Sequence, residues 1–109
     1  MATSRQFVET VLEQLSGLED VRVRPMMGEY LLYYRGRYAA GLCDNRLMVK
    51  PVPSARELLP DAALEPPYEG AQPMLAVDCL EDREKLERLF TAIWDELPPP
   101  KSKKGRKQA

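Results

Sequence analysis

Apolar positions fall into two helical stripes at the ends of the chain, with a block of period-two alternation between them. Phe7, Val8, Val11, Leu12 and Leu15 follow the i, i+1, i+4, i+5, i+8 spacing of one helical face. A helix is therefore expected from Ser4 to Ser16, with Thr3 and Gln6 at capping-box spacing and Gly17 where a helix ends with positive φ. Leu86, Leu89, Phe90, Ile93, Trp94 and Leu97 draw a second stripe. An acid among Asp78 to Asp82 would cap it, and Pro98–Pro100 would stop it. Val21-Arg22-Val23-Arg24 alternates like a short strand until Pro25 interrupts it. Ser54 would cap a short helix reaching Leu59, and Met74–Val77 reads as a buried strand. Pro60 to Pro73 reads as a long extended loop around Tyr68.

Residues 28–50 predict a β-meander with turns at Arg35-Gly36 and Asp44-Asn45. If both are two-residue hairpins, Leu31, Tyr33, Tyr38, Ala40, Leu42, Leu47 and Val49 share one face, which would serve as the core face. Tyr30, Leu32, Tyr34, Arg37, Ala39, Gly41, Cys43, Arg46, Met48 and Lys50 share the other. The expected architecture is α+β: a two-layer sandwich of an antiparallel sheet of about five strands, with a central meander, packed against N- and C-terminal helices. The second, mixed face makes Tyr30, Leu32, Tyr34, Arg37, Arg46 and Met48 the candidate interaction surface. Its cover would be the 54–73 segment, a second copy of the chain, or a separate ligand or peptide.

Charge changes the picture along the chain. The whole sequence of 109 residues carries a net charge of −1, but Lys101, Lys103, Lys104, Arg106 and Lys107 crowd its end. Residues 1–100 hold eleven basic and seventeen acidic groups, a net of −6. The expected division is a domain over 1–97 and a disordered basic tail over 98–109, whose five cations are candidate weak nucleic-acid contacts. No run reaches the roughly 20 apolar residues of a membrane helix, and the N-terminus lacks a signal-like apolar stretch, so a cytoplasmic protein without membrane contact is expected.

Chemistry is sparse. The absence of histidine removes the commonest general base, and two cysteines 36 positions apart make no zinc set. Phosphate-loop, dinucleotide and nucleophile-elbow motifs are missing. Cys79 near a helix N-terminus would have a lowered pKa, and the acid pairs Glu19-Asp20 and Glu81-Asp82 suit helix ends better than general acid–base work. No catalytic residue, cofactor, metal or small-molecule substrate is expected.

Arg24-Pro25-Met26-Met27-Gly28-Glu29-Tyr30 followed by Leu32-Tyr33-Tyr34-Arg35-Gly36-Arg37 resembles the Met-Phe-Gly segment and hairpin of the TfoX/Sxy N-terminal domain family. Cys43 to Lys50 is similar to the next hairpin of that family, Glu65-Pro66-Pro67-Tyr68 with Gly70 and Pro73 to its proline-rich loop, and the basic tail to its end. The likeness runs from about Phe7 to Pro99, with Met27 where phenylalanine is usual. It implies a secretion-chaperone-like fold and a single-domain member, because the full competence regulators carry a further C-terminal domain. Their best-known representatives act with the cyclic-AMP receptor protein on DNA-uptake genes. Met26, Gly28 and Tyr30 match the signature and would define the fold. The expected function is a non-enzymatic protein-interaction module linked to transcriptional regulation, working as a homodimer or with a regulator protein. The alternatives are weak nucleic-acid binding through the tail and a peptide-binding chaperone-like dimer.

Overall fold

In the computed structural model, residues 3–66 and 69–98 are described. Three helices and six strands follow in the order α1 (Arg5–Gln14), β1 (Val21–Met26), β2 (Glu29–Tyr34), β3 (Arg37–Cys43), β4 (Arg46–Val49), α2 (Pro53–Leu58), β5 (Leu64–Glu65), β6 (Met74–Ala76) and α3 (Arg83–Trp94). The strands form one antiparallel sheet in the order β1-β2-β3-β4-β6-β5. All three helices contribute to a single core on one side of it, so the expected α+β sandwich is present. The sixth strand is β5, a two-residue edge inside the stretch expected as loop. Tyr68 lies outside the described residues.

Helix α1 presents Val8 and Val11, and α3 presents Leu86, Leu89, Phe90 and Ile93, all buried against Leu32, Leu42, Leu47, Val49 and Leu75 of the sheet. Each such side chain contributes about 1.5–3 kcal/mol of transfer free energy, so the two stripes outweigh any helix propensity. The caps of the two long helices fall on residues of the expected type. Ser4 caps α1 by accepting from the Phe7 N–H at 3.1 Å, while Asp82, within the expected acidic stretch, caps α3 by accepting from the Lys85 N–H. Helix α2 starts two residues early, with Val52 as its N-cap and Pro53 at its first position; Ser54 lies inside the helix and donates its N–H and its hydroxyl to the Glu96 carboxylate. Gly17 has no positive φ. The reversal into β1 falls on Asp20 at φ 55°, and Gly17 is instead a place where the Glu87 carboxylate fills the room of a Cβ.

Three tight hairpins build the meander. Their central pairs, Met27-Gly28, Arg35-Gly36 and Asp44-Asn45, all have both residues at positive φ, the two-residue geometry whose twist suits flanking strands. The resemblance implies a turn or bulge at Gly28, but not that the chain passes through Pro25 without leaving the strand. With Met26 and Glu29 closing the turn, alternation sends the backbone groups of Val21, Val23 and Pro25 away from β2. Proline lacks an N–H and therefore costs the ladder nothing at that outward position on an edge strand.

One extra residue corrects the face assignment. Leu32 pairs with Ala40 but Tyr33 pairs with Tyr38, so Ala39 is a bulge in β3. Ala39 and Ala40 are both fully buried on the helix side. In the unbulged register Leu31 would oppose Ala40, but the bulge puts Leu31 opposite Gly41 and moves Leu32 into line with the core. Hence Tyr30, Leu32 and Tyr34 point to the helices, and Leu31 and Tyr33 point away. The pairs Leu42–Leu47 and Ala40–Val49 are as expected.

Met27 sits in a left-handed conformation at the hairpin tip with 96% of its surface exposed, so it carries strain without burial in return. Met27→Asn should stabilise the fold by about 1 kcal/mol, because asparagine tolerates that conformation. Gly28→Ala, at φ 89°, should destabilise it. Urea denaturation followed by circular dichroism measures both.

Candidate functional site

With the helices on one side, the opposite side of the sheet is built from Arg22 and Arg24 of β1, Leu31 and Tyr33 of β2, Tyr38, Gly41 and Cys43 of β3, Arg46 and Met48 of β4, Glu65 of β5, and Met74 and Ala76 of β6; Lys50 continues the β4 row. Cross-strand rows follow from the register. Arg22, Tyr33 and Tyr38 form one, and Arg24, Leu31, Gly41, Met48 and Ala76 the next. Gly41 leaves a gap in this face. A Cβ there would lie 3.8 Å from the Tyr38 hydroxyl and 3.5 Å from Cys43 Sγ, so both side chains lean across it. Tyr38 also meets Tyr33, with ring centroids 5.8 Å apart, and carries Lys50 Nζ 4.8 Å above its ring. Leu31, Tyr33 and Tyr38 remain partly exposed over buried Met48, Cys43 and Met74.

The six residues expected as a common interaction surface are therefore split. Leu32 is 0% and Tyr34 5% exposed, both in the core, and Tyr30 packs against that core. Met48 lies on the opposite side but is 0% exposed, and Arg46 is held by Glu65 at 2.7 Å. Arg37 belongs with the helices. It opposes Tyr34, its Nη1 donates to the Trp94 and Leu97 carbonyls at 3.0 and 3.1 Å, and its guanidinium lies 4.0 Å from the Trp94 ring centroid. Arg35 stacks on the same indole at 4.6 Å, while Trp94 Nε1 donates to the Tyr34 carbonyl. Arg37 thus satisfies carbonyls that the end of α3 leaves open. The expected nucleic-acid contacts Lys101, Lys103, Lys104, Arg106 and Lys107 lie outside the described residues.

The segment that carries the resemblance is a joint between hairpins. Thr3, buried, donates its hydroxyl to Glu29 Oε1 at 2.6 Å, and Glu29 also accepts from the Asp44 N–H at 3.0 Å. The Thr3 N–H donates to the Gly28 carbonyl and the Ser4 N–H to Asn45 Oδ1. Gly28 supplies the positive φ, Met26 closes the turn opposite Glu29, and Tyr30 leans on the core. The hairpin residues of this joint, Met26 to Asn45, lie inside the stretch that the family profile matches, while Thr3 and Ser4 precede it. The profile of the TfoX N-terminal domain matches residues 13–96.

The chain belongs to the TfoX N-terminal domain family. An uncharacterised 12.7 kDa protein from the trpE 5′ region of Spirochaeta aurantia is 34% identical over 107 residues, covering 97% of this chain and 93% of the relative. No solved structure matches significantly. In this TfoX N-terminal member, sequence reasoning missed Thr3, Glu29 and Leu31. A threonine ahead of a helix reads as a cap, and only the hairpin pairing shows that its hydroxyl spans two turns.

Among the described residues no three cysteine, aspartate or glutamate side chains converge as a metal set, and no helix is long and apolar enough to cross a membrane. Burial pushes both thiols up, chiefly by desolvation, so Cys79 is not activated by the start of α3; the Lys85 charge only partly offsets this. Alkylation of Cys79 by iodoacetamide at neutral pH should run slower than that of a small free thiol, with the gap narrowing as pH rises. The Glu96 carboxyl is held below its ordinary value by the Ser54 hydroxyl and then by the Ser54 N–H. Its contribution is present above the unfolded-state pKa and lost as pH falls through the lower folded-state value. The stability advantage of the wild type over Glu96→Gln should shrink between about pH 6 and about pH 3 in urea titrations.

Proposed function

We propose that this TfoX N-terminal member is a non-enzymatic protein-interaction module with a role in transcriptional regulation, and that it works through the helix-free side of its sheet. The observation that carries the reading is the one-sided helix layer. It leaves Leu31, Tyr33 and Tyr38 partly exposed in a row system floored by Met48 and Met74, with Arg22, Arg24, Arg46 and Lys50 around it. Partly exposed aromatic residues and arginine are the residue types that interfaces concentrate. The regulatory connection rests on family membership alone. The thiols lack activation, and the mapped polar networks tie the fold together.

Leu31→Glu and Tyr33→Glu place a charge in the centre of this side while leaving the helix-facing core untouched. Affinity capture from a lysate with mass-spectrometric identification should recover specific proteins on the wild type and on Arg88→Glu, a change on the outer side of α3. Both sheet variants should lose them. Recovery of the same proteins on all four chains would refute the assignment.

A further inference from the structure

We infer that the helix-free side of the sheet receives a short acidic segment of a partner protein with apolar residues at its centre; this rests on reading that side as the interaction surface. The charge distribution is the argument. Residues 1–100 are acidic by six units, yet this side carries four cations, Arg22, Arg24, Arg46 and Lys50, against the carboxylates of Glu29 and Glu65, with that of Asp20 at its margin. All three carboxylates are already engaged, Glu65 by Arg46, Glu29 by Thr3 and the Asp44 N–H, and Asp20 by Arg22 at 2.8 Å. Arg24 and Lys50 have no carboxylate partner among the described residues, and Lys50 rests only on the Tyr38 ring.

These two cations flank the apolar centre. Arg24 is on β1 and Lys50 continues β4, three strand spacings across and two residues along, about 16 Å away in the sheet, with Leu31, Tyr33 and Tyr38 between them. An extended segment crosses that span in four or five residues at about 3.4 Å each. It would set carboxylates against both flanks and apolar side chains over the middle. A second copy fits less well, because each copy would bring the same excess of cations to the shared face. A nucleic-acid strand also fits poorly. Lys50 takes one face of the Tyr38 ring, and a long polyanion leaving the sheet meets the acidic body. A short segment stays within about one screening length of the cations, roughly 10 Å in 0.1 M salt.

Fluorescence anisotropy tests this with the full chain and four labelled probes: a peptide of three apolar residues flanked by glutamates, the same peptide with lysines, an all-apolar analogue, and an oligothymidylate matched in charge to the first. The glutamate peptide should bind best, should weaken as salt rises, and should bind about tenfold more weakly to Arg24→Glu and Lys50→Glu. The neutral variants Arg24→Gln and Lys50→Gln should give intermediate losses, with Arg88→Glu unchanged. Tighter binding of oligothymidylate or of the lysine peptide overturns the proposal, as does glutamate-peptide binding indifferent to all four sheet substitutions. A concentration-dependent dimer, by light scattering, that Leu31→Glu dissolves assigns the surface to a second copy and also overturns it. Binding of the all-apolar analogue that Leu31→Glu abolishes and Arg24→Glu leaves intact refutes the acidic partner but keeps the surface. Failure of every probe, with no effect of Leu31→Glu on protein capture, removes both.

Discussion

The bulge at Ala39 decides which side chains meet the helices. A strand pair without it has one parity along its whole length, so the register set at the Arg35-Gly36 turn would carry Leu31 and Tyr33 into the core. The added residue lets the hairpin end and the far end of β2–β3 obey different registers. Tyr34 and Arg37 then stand together beside Trp94, while Leu32 and Tyr30 line up with Ala40 and Leu42. Tyr34 meets Phe90 edge-on, and the end of α3 is fastened to the hairpin by Arg37 and by the Trp94 indole. The helix layer is seated on the sheet by an irregularity one residue long.

Most of the architecture was legible because it depends on local periodicity. Both long helices, the three-stranded meander and the turns at Arg35-Gly36 and Asp44-Asn45 follow from spacing and turn chemistry. The candidate surface was not legible, because a period-two pattern assigns faces only relative to an assumed register. Ala39-Ala40 carries no mark that one of them is extra, and Leu31-Leu32-Tyr33-Tyr34 is apolar on both sides, so neither parity is penalised by its own residues. Pro25 misled for a related reason. Its effect depends on whether its nitrogen faces a neighbour or open space, which is a property of the sheet and not of the tetrapeptide around it.

The family segment acquires a physical meaning in this light. Gly28 and Glu29 hold the β1–β2 turn, Thr3 reaches back to them from the start of α1, and Asp44 and Asn45 close the joint from the β3–β4 turn. Two hairpins and a helix are thereby fixed at one end of the sheet, while Arg37 and Trp94 fix α3 at the other. Between these anchorages the side opposite the helices carries no helix among the described residues. Its gap at Gly41 is closed by Tyr38, a division of labour in which the ring both shields the backbone and remains partly open to contact.

Pro25 sets the terms on which another chain can approach. Along the outer margin of β1 an incoming strand would find backbone donors at Val21 and Val23 but none at the third outward position, and charged Arg22 and Arg24 stand alongside. Continuation of the sheet into a neighbouring molecule is thereby discouraged. What meets this protein along β1 meets an interrupted ladder flanked by charged side chains, so selectivity on that margin is written in side-chain chemistry.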